Sequence, residues 1–360
     1  MHIPDGYLSP LTCAAMGAVM VPVLATAVRK SKRVAKSRFA PMMAIGAAYS
    51  FHVMMFNVPI PDGTTAHAVG GVLIAILLGR WAATISVSVA LLIQALFFGD
   101  GGVLAYGANA FNMAFVLPFA GYGVYYLLTR RVSLTAPRRA LAAGVAAYIG
   151  LNAAALCTAI EFGLQPTLFH SSDGTPLYAP FHLSQTIPAM ALAHLTIAGL
   201  VEFTLTAAIV SYLQRANVPL LRFNHPGVAL DDAALERRPP RPAWGWAAFG
   251  LAVMVVLTPL GLLAPGGAFG EQAPVDLNLR SYHLQSVPSG LNDYNGFWTH
   301  TVLGGYGFGA GQHEYLSYIL SALVGILAVG AGVFALVSLL RALARRQPEL
   351  GAEGAEAHAL

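Results

Sequence analysis

Charge is scarce in this chain: 10% of its 360 residues are Asp, Glu, Lys or Arg, against 56% hydrophobic residues. With a mean hydropathy of +0.63, that scarcity excludes an ordinary soluble domain and implies an integral membrane protein. Cysteine is nearly absent. Cys13 and Cys157 both fall in apolar stretches, so a disulfide framework is excluded and buried packing is their expected role. No basic residue precedes the first apolar run, whereas a signal peptide needs a positive n-region. There is no G-x-x-x-x-G-K-[ST] loop to cradle nucleotide phosphates and no Gly-x-Ser-x-Gly elbow for a nucleophilic serine. His313 and Glu314 begin like a zinc-protease motif, but Ser317 stands where its second histidine is required. These absences argue against an intramembrane hydrolase and mean that any ATP must be hydrolysed by another protein.

What is present is a series of apolar runs, nine by count: 8–28, 39–57, 66–79, 82–98, 105–128, 139–162, 186–213, 244–264 and 315–340. Most meet the requirement of about 20 apolar residues per crossing. The third is short, and a short helix beside a Gly-rich loop is a sign of a helix broken near a binding site. The fold class is therefore an all-α integral membrane protein. Basic residues follow the first run at Arg29, Lys30, Lys32, Arg33, Lys36 and Arg38, which sets the N-terminus outside and the C-terminus in the cytoplasm. Under that arrangement 19 of the 20 Lys and Arg residues lie on the cytoplasmic face, Arg280 being the exception. The net charge of +4 thus reflects topology and gives no sign of nucleic-acid binding. Expected units are a seven-segment domain over 1–214, a cytoplasmic Pro-rich linker over 215–243, a two-helix module with a large outer loop over 244–340, and a cytoplasmic tail over 341–360.

The chain opens Met1, His2, Ile3, Pro4, Asp5, Gly6, Tyr7. Histidine directly behind an initiator methionine places the α-amine, the His2 amide and the His2 imidazole within two residues. Together they can close two fused chelate rings on one metal ion and leave room for a fourth donor, a nitrogen-rich square-planar set suited to Ni(II) or Cu(II). Methionine is expected to remain, because its aminopeptidase prefers a small second residue. The best source of the fourth donor is His67, in the loop Asp62, Gly63, Thr64, Thr65, Ala66, His67 on the same expected face. By itself that histidine also reads as a helix-starting residue facing water. A second stretch, Phe98 to Gly102 and on to Asn109 and Asn112, enters the membrane from the same side. Asn109 and Asn112, one helical turn apart, suit either orientation of His2 and His67 or plain helix–helix hydrogen bonding.

These segments in combination, with Gln94 to Gly102 and Gly107 to Met113, resemble the CbiM/NikM family over about residues 1–214. These are substrate-binding membrane components of energy-coupling-factor importers for nickel and cobalt. The second part, with Thr258 to Gly267, resembles a small CbiN/NikN subunit fused to the same chain; the Pro-Asp-Gly-Leu-Glu signature of that subunit stands here altered, as Pro265 through Glu271. The resemblance implies metal ligands Met1, His2 and His67; Thr65, Asn109 and Asn112 are the candidates for holding them in orientation. It implies Ni(II) or Co(II) as transported cargo, with no permanently bound cofactor and no catalysis by the chain. The partners would be a transmembrane coupling subunit and two cytoplasmic ATPase subunits, in a bacterial or archaeal plasma membrane. The cobalt branch of the family carries Cys-Ser-His-Pro before the third segment; Thr64, Thr65, Ala66, His67 resembles the nickel branch. A cobalt-specific subunit serving cobalamin synthesis and a self-sufficient ion-coupled permease are the alternatives. The permease would need acids in mid-membrane, and Glu202 alone qualifies.

Other polar residues carry weaker expectations. His194 and Glu202, eight apart on one helical face, read as structural, with Glu202 turned into the bundle. His52, beside Met54 and Met55, and the residues Glu161, His170, Asp173 and His182 around the 163–185 loop read as packing and solvated loop, or as a guide for incoming cations.

Overall fold

The computed structural model of the chain describes residues 1–36, 40–60, 64–230, 252–259, 269–308 and 313–356. It is mostly helical: α1 (Pro10–Lys30), α2 (Lys32–Lys36), α3 (Pro41–Met54), α4 (Gly71–Leu78), α5 (Arg80–Ile93), α6 (Tyr106–Asn109), α7 (Leu117–Thr129), α8 (Pro137–Leu168), α9 (Leu183–Ala193), α10 (Gly199–Ala216), α11 (Val218–Phe223), α12 (Ser289–Tyr294) and α13 (Glu314–Glu356). Three wide π turns lie within this series. Gln94–Phe98 extends α5, Ala110–Val116 joins α6 to α7, and His194–Ala198 joins α9 to α10.

Among the described residues six helices are long and apolar enough to cross a membrane: Pro10–Lys30, Arg80–Phe98, Tyr106–Thr129, Pro137–Leu168, Leu183–Ala216 and Glu314–Leu339. They coincide with the first, fourth to seventh and ninth expected segments. The second and third are helices of 14 and 8 residues, about 21 and 12 Å long against a hydrocarbon core of about 30 Å. Most of the eighth segment, the linker over 231–243, the Pro265–Gly267 turn, Arg38, Asp62 and Gly63 lie outside the described residues.

Local chemistry sets the helix ends. The Ser9 hydroxyl accepts from the Thr12 amide at 3.0 Å and Pro10 opens α1, the usual polar cap followed by a residue with no amide to satisfy. Cys13, Met20 and Ala27 form the buried seam of α1, one residue in seven, while Leu11 and Val21 face outward as lipid-facing residues do. All eight residues of α4 are buried, as befits a helix apolar on every side. Its N-terminus is anchored from α10: the Glu202 carboxylate accepts from the Val69 amide at 2.7 Å and the Gly70 amide at 3.0 Å. Gly70 has φ +73°, and a Cβ there would lie 2.3 Å from the Tyr49 ring, so glycine is required. A two-residue antiparallel pairing, β1 (Val58–Pro59) with β2 (Thr65–Ala66), folds the preceding loop back over this end of the bundle, in the register Val58 to Ala66.

The C-terminal part packs on the rest of the chain. α13 lies against α3 and α5, and the Tyr318 hydroxyl donates to the Met55 carbonyl at 2.9 Å. The segment 269–308 covers the end of the bundle where the chain begins. Tyr7 donates to the Gln272 carbonyl, Trp298 to Leu96 and the Leu291 amide to Leu177. Ile3, Tyr7, Leu8, Phe162, Phe181, Leu277 and Leu291 form an apolar cluster of their own beneath it.

Candidate metal centre

The first residues are fixed as if they were an internal strand. The Ile3 amide donates to Asn109 Oδ1 at 2.8 Å, Asn109 Nδ2 returns a bond to the Ile3 carbonyl at 3.0 Å, and the Gly102 amide donates to the same carbonyl at 2.8 Å. Two residues on, the Asp5 carboxylate accepts from the amides of Val103, Leu104 and Ala105 at 3.0, 2.8 and 3.2 Å. This is how Gly102 is used: a Cβ there would sit 2.1 Å from Asp5 Oδ1. Burial raises the Asp5 carboxyl and those three amides oppose it, with a net upward shift.

With Ile3 and Asp5 pinned, Met1 and His2 are driven into the interior at 0% and 2% exposure. The Met1 ammonium lies 2.8 Å from Glu271 Oε1 and 3.2 Å from Thr65 Oγ1. The same Glu271 oxygen accepts from the hydroxyls of Thr65 at 2.6 Å and Thr64 at 3.1 Å. Burial pushes the Glu271 carboxyl upward, but the ammonium and these hydrogen bonds outweigh it and hold it below the usual carboxylate range.

The His2 ring stacks on that of His67, 4.8 Å between centroids and 20° between planes. His67 Nδ1 is 3.2 Å from the Ala68 carbonyl, which assigns the ring proton to Nδ1 and leaves Nε2 a bare lone pair. His67 Nε2 and both ring nitrogens of His2 are buried without a hydrogen-bond partner. Asp100 Oδ1 is 3.3 Å from His2 Nδ1 but is not aligned for a hydrogen bond. Burial, against the opposing pull of Asp100, holds the His2 imidazole below its ordinary value and therefore neutral. Asp100 is itself braced by Tyr306, whose hydroxyl donates to Oδ2 at 2.5 Å, and by Gln94.

Buried, unpaired imidazole nitrogens beside a buried amine are costly unless something binds there. Among the described residues no three His, Cys, Asp or Glu side chains group as a metal cage. A cation here therefore has to draw on main-chain and terminal nitrogens.

Of the residues singled out from sequence, Met1, His2, His67 and Thr65 come together, and Asn109 holds the backbone next to His2. Asn112 stands elsewhere. Its Nδ2 donates to Thr158 at 3.0 Å and Glu161 at 2.7 Å on α8. The π turn from Ala110 adds a residue to the helical path, so Asn109 and Asn112 do not share a face. His194 and Glu202 are both buried, and Glu202 anchors the start of α4. His194 Nδ1 meets the Met190 carbonyl at 2.8 Å, and the ring lies within electrostatic reach of His67. His52 packs edge-on against Phe56. Asp173 closes a local turn with Ser171 and Thr175, and the His182 amide bonds to Gln185 at the start of α9.

Three comparisons bear on the chain. A family described as "Cobalt uptake substrate-specific transmembrane region" matches residues 2–220. The chain is 46% identical to the fused nickel transport protein NikMN of Rhodobacter capsulatus over 96% of its own length and 99% of that protein. It is 44% identical to the probable fused nickel transport protein LarMN of Lactiplantibacillus plantarum, over 91% and 94%. A crystal structure described as a transition metal transporter superposes with a TM-score of 0.57 at 55% identity, covering 63% of this chain and all of that one.

Proposed function

Because the chain belongs to the CbiM family of substrate-specific transmembrane proteins for cobalt uptake, we propose that it captures Ni(II) at the outer face of the plasma membrane through Met1, His2 and His67. It is a multi-pass membrane transport protein of the nickel and cobalt class. The observation that carries the reading is the buried Met1 amine beside two stacked imidazoles whose free ring nitrogens have no partner.

The hydrated cation is the substrate. The Met1 ammonium leaves its proton and ligates, the His2 amide does the same, and His2 Nδ1 closes the second chelate ring. His67 Nε2, freed by the Nδ1 bond to Ala68, completes four nitrogens. A deprotonated amide donor favours square-planar Ni(II) over Co(II). Cobalt is the second reading, favoured by the family's description. Asn109 and Asp5 fix where the chelating residues lie, and Glu271 holds the amine and Thr65 together.

The N-terminus is outside and the basic residues cytoplasmic, with the nine crossings and the unit boundaries given above. A coupling subunit and two ATPase subunits drive release inward. The CbiN/NikN-like module contributes Glu271 to the metal loop.

Binding in this scheme displaces protons, so affinity falls with acidity. Each proton released contributes a factor of ten per pH unit, and Ni(II) affinity is expected to weaken at least about a hundredfold from pH 8 to pH 5.5. His2, with its lowered pKa, stays neutral further into acid than a free histidine does. Calorimetric titration of the purified chain measures this; an unchanged affinity would contradict it.

A further inference from the structure

A cavity of about 520 Å³ opens at the end of the bundle away from the metal centre. α1 begins a few residues after Ile3 and ends at Lys30; α5 begins at Arg80, and its π extension ends at Phe98, two residues before Asp100. Each path covers about 30 Å at 1.5 Å per residue, so cavity and metal centre lie a membrane's thickness apart.

Its lining is rich in donors. Lys30 and Arg80 are exposed cations, and among the described residues neither makes an ion pair; Arg80 rests over the Phe119 ring at 5.0 Å. Gly79, at φ +95°, breaks the chain between α4 and α5, and residues 80–82 form the opening turn of a 14-residue helix along the cavity wall. The first intrahelical bond from this end is Ala83 to Gly79 at 3.1 Å, so the preceding amides have no acceptor within the helix. Independently, Ser31 lines the cavity, buried at 1% exposure, and its hydroxyl has no hydrogen-bond partner. Among the described residues no carboxylate lines the cavity. Asn224 closes one side with its amide already committed to the Ala75 and Ile76 carbonyls.

Two cations, a helix N-terminus and a buried hydroxyl without a partner are complementary to a tetrahedral oxyanion. Trp81, Tyr122 and Tyr126 stand around it, the amphipathic aromatics that settle at a membrane–water boundary. We propose that this cavity binds a phosphate group, that of an anionic phospholipid headgroup from the leaflet on the basic side of the protein. The assignment is independent of which metal the far end carries.

The test uses the full chain, stripped of lipid in detergent and examined by native mass spectrometry. Phosphatidylglycerol, phosphatidylcholine and inorganic phosphate are offered separately and in competition. Phosphatidylglycerol is expected to be retained at least about tenfold more tightly than phosphatidylcholine, and Arg80→Gln or Lys30→Gln to lower its affinity about fivefold each. Ser31→Ala should weaken it without changing the overall charge. Unaltered Ni(II) binding at the far end confirms that each variant is folded. Equal retention of the two lipids, or indifference to both charge variants, overturns the proposal. Displacement of the lipid by millimolar inorganic phosphate overturns the lipid assignment in favour of a soluble phosphate.

Discussion

His67→Ala is expected to weaken Ni(II) binding by more than about a hundredfold. Groups that merely orient a metal ligand cost 10–100-fold when removed, and His67 is proposed as a ligand. Its loop is built for that task from both ends. The β1–β2 pairing sets Thr65 and Ala66, while Glu202 holds the amides of Val69 and Gly70. Between these anchors the ring is stacked on His2 with Nε2 unpaired. Losing the stack alone costs about 0.5–1.5 kcal/mol, so the variant should fold while failing to bind. Isothermal titration alongside thermal unfolding separates the two effects. Native-like affinity in a folded His67→Ala chain would remove His67 from the site.

Glu271→Ala is expected to speed release of bound Ni(II) about ten- to a hundredfold, the range for lost orienting groups. One carboxylate oxygen gathers the Met1 amine and the hydroxyls of Thr64 and Thr65, joining the chelating terminus to the loop that carries His67. Without it, a buried amine loses its counter-charge and the two halves of the ligand set lose their common tie. An amine that ligates a metal keeps N–H bonds to donate to this oxygen, so on the proposed site the tie would persist after capture. Stopped-flow release into excess chelator reads the effect directly. An unchanged rate would mean that the C-terminal part touches the loop without holding it.

The sequence made the long spans legible because each comes close to or exceeds the bilayer's demand for apolar length. That His67 would meet Met1 and His2 was legible from local chemistry, in a terminus with the donors of a chelate and a histidine among glycines and threonines. The supporting groups were harder to see. Glu271 lies 270 residues from the amine it meets, and only folding brings 269–308 across the start of the chain. Asp100, between glycines, carried a visible signal in its setting, as did Asp5 in the opening motif. Asn112 followed the helix–helix alternative, because the regular spacing from Asn109 does not hold across the turn at 110–116, where the chain takes a wider π path. His194 and Glu202 are both buried, as their spacing led one to expect. Glu202 did turn inward, but toward the start of α4, an eight-residue helix whose exposed amides no periodicity reveals.

The measurement that tests metal capture most directly compares Ni(II) and Co(II) binding to two purified chains, one with a free Met1 amine and one with that amine acetylated. Acetylation removes the amine as a donor while leaving every side chain in place. The acetylated chain is expected to lose tight binding and the native chain to prefer Ni(II). Equal binding by the two chains would contradict the proposed site, because the amine would then not be a ligand.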